Sequence, residues 1–140
     1  MILIVDSNII LAGLLKEGKT RELLIDSPFK LYAPESLTEE IIKYKQYVLD
    51  KSGLSSEDFD TLFEILTEDL TIVSKEDYLD LFIEAEKIIG ATDKKDIPFI
   101  ALALAIPNSG IWTNDNDFLK QNKIKIYRTE DLLRDSNLLG

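Results

Sequence analysis

The chain has 140 residues, the size of one ordinary domain, and 45% of them are hydrophobic, enough for a real core. It holds no cysteine, which suits a cytoplasmic protein, and no histidine; together these absences exclude thiol nucleophiles, disulfides, imidazole catalysis and the usual zinc sites. A net charge of −10 argues against non-specific nucleic-acid binding by a basic face, and no run of eighteen or more apolar residues predicts a membrane span.

Ile2 to Val5 is a short continuous apolar run, the pattern of a strand buried on both faces. No basic region or small-residue cleavage site accompanies it, so it reads as a first strand and not a signal peptide. Short helices are expected over Asn8–Leu15 and Arg21–Ile25, and a strand over Lys30–Ala33, stopped by Pro34. Helices follow over Ser36–Leu49 and Glu57–Leu66, then a strand over Thr71–Val73. A long amphipathic helix is expected over Glu76–Ile89, ended by Gly90. Asp96–Ile106 reads as a helix apolar on every face, Ile111–Thr113 as a strand and Asp117–Lys120 as a short helix. Ile124–Tyr127 and Glu130–Arg134 are the last strand and helix. With no repeat, low-complexity tract or linker, residues 1–140 are expected to form one domain. Strands alternating with helices predict an α/β fold with a mainly parallel sheet and helices on both faces. Ligands bind such sheets at the carboxyl ends of the strands, so Asp6 and Asp115, each after a strand, should share one edge.

Several acids stand beside segments that should be buried, and desolvating a carboxylate is costly unless something positive compensates it. Asp6 ends the first apolar run; it could simply cap the next helix, although Ser7 and Asn8 could do so too. Ser36 and Glu39 have the spacing of a capping box, which leaves Glu40 over. Glu40 borders the apolar stripe of Leu37, Ile41, Tyr44 and Val48, as a first-turn carboxylate favoured by the helix dipole or as a snorkelling edge glutamate. Pro98 is tolerated only near a helix start, so Asp96 opens the most apolar helix, as a cap or as an acid aimed into a cleft; Asp93 is its acidic neighbour. Thr113-Asn114-Asp115-Asn116-Asp117 could be an Asx-rich turn, and the order of importance of Asp115 and Asp117 stays open. Asn8, Thr113 and Asn114 could orient ligands or water. Together these residues form a sparse acidic cluster, one carboxylate from each of four segments. Oxygen-only ligands favour hard ions such as Mg2+ or Mn2+, which acidify bound water and stabilise charge on a phosphoryl oxygen.

The elements Val5-Asp6-Ser7-Asn8, Ala33-Pro34 six residues before Glu40, Asp93-Lys94-Lys95-Asp96 and Thr113-Asn114-Asp115-Asn116-Asp117-Phe118 occur in an order that resembles the PIN-domain ribonucleases over essentially the full length. The resemblance implies a three-layer α/β/α sandwich with a parallel sheet. It implies Mg2+- or Mn2+-dependent cleavage of single-stranded RNA, as in toxins of toxin–antitoxin pairs and in some RNA-processing factors, and it leaves open an antitoxin protein as partner and a homodimer. It places catalysis and metal binding on Asp6, Glu40, Asp96 and Asp115, with Asp117 an auxiliary metal acid. Candidate phosphate contacts are Lys43, Lys45, Lys94, Lys95, Lys120, Lys123 and Arg128. Tyr44 and Trp112 could stack on bases, but their positions on an apolar stripe and in a strand read as core.

The alternative is a non-catalytic PIN-like module binding protein or RNA, its acidic surface suited to a basic partner. A phosphotransfer receiver domain needs an acid pair near the first strand, whereas Ser7 follows Asp6 here; haloacid-dehalogenase phosphatases need an Asp where this chain has Asn8.

Overall fold

The computed structural model describes residues 1–90 and 94–139, with the backbone course alone over 135–139. Five strands, β1 (Ile2–Val5), β2 (Lys30–Pro34), β3 (Leu70–Val73), β4 (Gly110–Trp112) and β5 (Ile126–Tyr127), form one sheet in the order β3-β2-β1-β4-β5, every pair parallel. Leu3 lies between Leu31 and Gly110, and Val5 pairs with Trp112. This central place explains the unbroken apolar run of β1: Leu3, Ile4 and Val5 are completely buried because helices cover both faces.

The chain runs from β1 outward to β2 and β3 through α1 (Ser7–Leu15), α2 (Lys19–Ile25), α3 (Ser36–Lys43), α4 (Lys45–Ser52) and α5 (Ser56–Thr67). It then returns across the sheet to β4 through α6 (Phe82–Ile89) and α7 (Ile97–Ala105). Parallel crossovers are right-handed, so reversing direction puts the two helix sets on opposite faces. Accordingly α1 packs against α2, α3, α4 and α5, while α7 lies over β1, β2 and β4 with α6 beside it. The result is a three-layer α/β/α sandwich. The last helix, α8 (Thr129–Leu139), packs against α2. The point of reversal lies between β1 and β4, where such sheets open a crevice at their carboxyl ends.

Several elements differ from their sequence patterns: the short helix expected over Asp117–Lys120 is a 3-10 helix, Asn116–Lys120, and the last helix, expected over Glu130–Arg134, runs Thr129–Leu139. The helix expected over Ser36–Leu49 is two helices that break at Tyr44, whose N–H is shared between the carbonyls of Glu40 and Ile41. The helix expected over Glu76–Ile89 is α helix only from Phe82; before it lie 3-10 turns at Lys75–Asp77 and Leu79–Leu81. Between those turns Tyr78 leaves helical geometry, is buried to 1% exposure and stacks on Phe82. The strand expected from Ile124 begins at Ile126, because the Gln121 side chain takes the place of a ladder partner for Ile124. It accepts from the Ile124 N–H at 2.8 Å and donates to the Ile124 carbonyl at 2.9 Å.

Gly110 is required where β4 meets β5. Its φ is +151°, and a Cβ there would stand 2.4 Å from the carbonyl oxygen of Lys125, the acceptor for the Ile111 N–H. Replacing Gly110 with alanine should destabilise the fold by about 3 kcal/mol, roughly 10 °C in Tm, as a backbone clash with a strained φ. A thermal melt within a degree or so of wild type would contradict this account of the strand pair.

Candidate metal centre

The parallel pairing of β1 with β4 brings the residues after each strand together. The Asp6 N–H donates to the Trp112 carbonyl at 3.0 Å, so Asp6 and Thr113 emerge side by side. Thr113 Oγ1 donates to Asp6 Oδ2 at 2.7 Å and accepts from the Asp115 N–H at 2.9 Å. Ser7 Oγ donates to Glu40 Oε2 at 2.6 Å and lies 3.5 Å from Asp6 Oδ1. Asn8 Nδ2 donates to Asp115 Oδ2 at 3.2 Å. One network therefore joins Asp6, Glu40 and Asp115 through two hydroxyls and an amide.

Asp115 also belongs to a second group. Carboxylate oxygens of Asp96, Asp115 and Asp117 lie within 4.8 Å of one another. Asp96 enters from the start of α7, buried to 4% exposure, and the other two come from the turn after β4. Asp6 and Glu40 fall outside this triad and reach it through Asp115. Asp93 lies outside the described residues.

The capping explanations can be judged one by one. Asp6 occupies the N-cap position of α1, but its side chain makes no capping hydrogen bond. Ser36 lies inside α3, whose N-cap is Glu35, so the capping box does not form; Ser36 Oγ is buried without a hydrogen bond. Asp115 does cap: its Oδ1 accepts from the Asp117 N–H at 2.9 Å, in the manner of an Asx turn. Capping thus explains one oxygen of Asp115 and neither oxygen of Asp6.

Burial raises the Asp6 pKa from the ordinary 3.8 to about 6. Thr113 opposes the shift by its hydrogen bond, the charges of Glu40 and Asp115 add to it, and the nearby Asn8 N–H lowers it a little without forming a capping bond. The set therefore gathers negative charge at the crevice, with water scarce around Asp6 and Asp96. All its ligand atoms are oxygens, the chemistry of a site for a hard cation, and a cation here would offset the burial and like charge that together raise the Asp6 pKa.

The basic residues divide. Lys45 Nζ is 2.8 Å from Asp60 and sits over the Phe59 ring, so its charge is already used. Arg128 donates to the Asn114 carbonyl and to the Asn116 side chain, tying down the acid-bearing turn. Lys120 Nζ is 3.2 Å from Asp117 and puts a positive charge at the rim. Lys43, Lys94, Lys95 and Lys123 are exposed. Trp112 is core, its Nε1 donating to Thr129 Oγ1 at 3.0 Å. Tyr44 is only half-buried and is not core. Asn114 exchanges two hydrogen bonds with Thr129, which makes it an anchor of the turn.

Ser7 and Thr129 carry site geometry, and only Ser7 has a signal in the sequence. The Asp-Ser-Asn run is a signal for Ser7, since three capping residues stand where one suffices.

The PIN domain family model matches residues 4–134. The chain belongs to the PIN-domain family. No curated protein matches it. PIN domains are typically nucleases, and the acids of this one could hold a metal ion.

Because the folded pKa of Asp6 lies above its unfolded value, Asp6 favours folding in full below about pH 3.8, and this is lost as pH rises through about 6. In EDTA at pH 8, Asp6→Asn should therefore stabilise this PIN domain by about 1–3 kcal/mol, with the gain fading below pH 4. Denaturant titrations across pH check it; destabilisation at every pH would make Asp6 a structural residue.

Proposed function

We propose that this PIN domain is a Mg2+- or Mn2+-dependent endoribonuclease that cleaves single-stranded RNA. The observation that carries the reading is the convergence of Asp96, Asp115 and Asp117 at the sheet crevice, joined through Asp115 to buried Asp6 and to Glu40. The triad would hold the ion, with Asp6 and Glu40 completing the negative surround. When bound, the ion supplies Lewis-acid charge to a phosphoryl oxygen and to attacking water.

The chain's own residues supply position. Ser7 and Thr113 hold the Glu40 and Asp6 carboxylates by short hydrogen bonds, so the acids are arranged before substrate arrives. Lys120 offers positive charge at the rim of a chain whose net charge is −10. The biological setting we propose is the toxin half of a toxin–antitoxin pair, with a small antitoxin gene beside this one as its check.

A non-catalytic binding module is the second reading. It is favoured by the capping hydrogen bond of Asp115, a structural task that needs no metal.

A labelled single-stranded RNA incubated with Mn2+, Mg2+ or EDTA separates the two. Cleavage should require the metal, and Asp96→Asn should lower kcat/KM by about 100-fold or more with the fold intact by circular dichroism. Equal cleavage by the variant, or cleavage in EDTA, would overturn the metal-site assignment.

A further inference from the structure

The break between α3 and α4 opens a groove that reaches the acid centre. Leu11 and Leu15 of α1 form one wall, and Tyr44 and Tyr47 form the other. Asn8 and Glu40 stand in the same groove, and both belong to the hydrogen-bond network of the acids. The cleft holds about 390 Å3, within the range of sites for small ligands.

Resting on the nuclease reading, we propose that this groove holds one base of the RNA strand next to the scissile phosphate, stacked on Tyr47 with Tyr44 beside it. Tyr47 is 53% exposed, an unusual place for a ring that contributes to no core. Its surroundings suit an anionic strand: Lys95 lines the groove, and Lys51 Nζ lies 5.9 Å from the Tyr47 ring centroid. These positive charges stand out on a chain with 26 acids against 16 bases. The groove is mostly apolar and aromatic, which suits the face of a base rather than a phosphate. Continuity with the acids places the groove beside the scissile phosphate. A strand whose phosphate meets a cation that Asp115 would help to hold, and whose neighbouring base passes Asn8 and Glu40, enters between α1 and Tyr47.

The test uses the full chain carrying Asp96→Asn, in Mg2+, with short single-stranded RNAs that carry a fluorescent base analogue at successive positions. One position beside the scissile phosphate should be quenched on binding. Adding Tyr47→Ala should remove that quenching and weaken binding by about 10- to 100-fold, while Tyr47→Phe keeps both. An RNA abasic at that position should bind equally well whether the chain keeps the Tyr47 ring or carries Tyr47→Ala. Unchanged binding and quenching in Tyr47→Ala, with the wild-type chain still cleaving RNA, overturns the groove assignment alone and leaves the groove to another occupant, such as a protein segment. A wild-type chain that neither binds nor cleaves single-stranded RNA overturns the nuclease reading and the groove assignment with it.

Discussion

Like charges meet at the carboxyl edge of β1 and β4, and the rest of the site is arranged around that repulsion. The topology leaves no alternative. Two parallel strands are neighbours in the sheet, so the residues that leave them, Asp6 and Thr113, must emerge together. Asp115 follows two residues later, and α7 brings Asp96 in at the same crevice. A fold selected only for stability would not desolvate an aspartate beside two other acids. This one does, and the proton affinity of Asp6 records the strain. Such unfavourable concentrations are characteristic of functional sites, where stability is given up for chemistry.

The arrangement holds because uncharged groups fix the charged ones. Thr113 bridges Asp6 and Asp115, and Ser7 secures Glu40. Behind them, Thr129 at the start of α8 bonds both Trp112 and Asn114, so the last helix anchors the acid-bearing turn to the core. Arg128, next to Thr129 in the chain, holds the same turn through the Asn114 carbonyl. Acids held by strand ends, a buried helix start and a pinned turn have little freedom to move apart.

Much of this architecture is legible in the sequence because burial writes a simple pattern. The unbroken apolar runs of β1 and α7 announce largely buried elements, β1 in the middle of the sheet and α7 packed over it. Asp6, Asp96 and Asp115 stand out because each interrupts or borders such a run. Glu40 stands out beside a capping box that does not form, yet its place bordering the apolar stripe is enough to set it near Ser7. The break at Tyr44 is hidden, since neither glycine nor proline marks it and the apolar stripe runs through it. Tyr78 hides the 3-10 turns in the same way, by a tertiary burial that helical periodicity cannot express. The role of Thr129 is invisible because Trp112 lies 17 residues away, and the Asp-Ser-Asn run marks Ser7 without naming Glu40, 33 residues on, as its partner.

The claim beneath this account is that the gathered acids are a preformed cation site. Mn2+ binding, followed by the loss of the free-ion electron paramagnetic resonance signal at neutral pH, tests it without reference to any substrate. The account predicts saturable binding by the wild-type chain, weakened at least about 10-fold by Asp96→Asn or Asp115→Asn in proteins that remain folded. Mn2+ uptake that never saturates, or that both variants keep, would mean that the acids serve the fold alone.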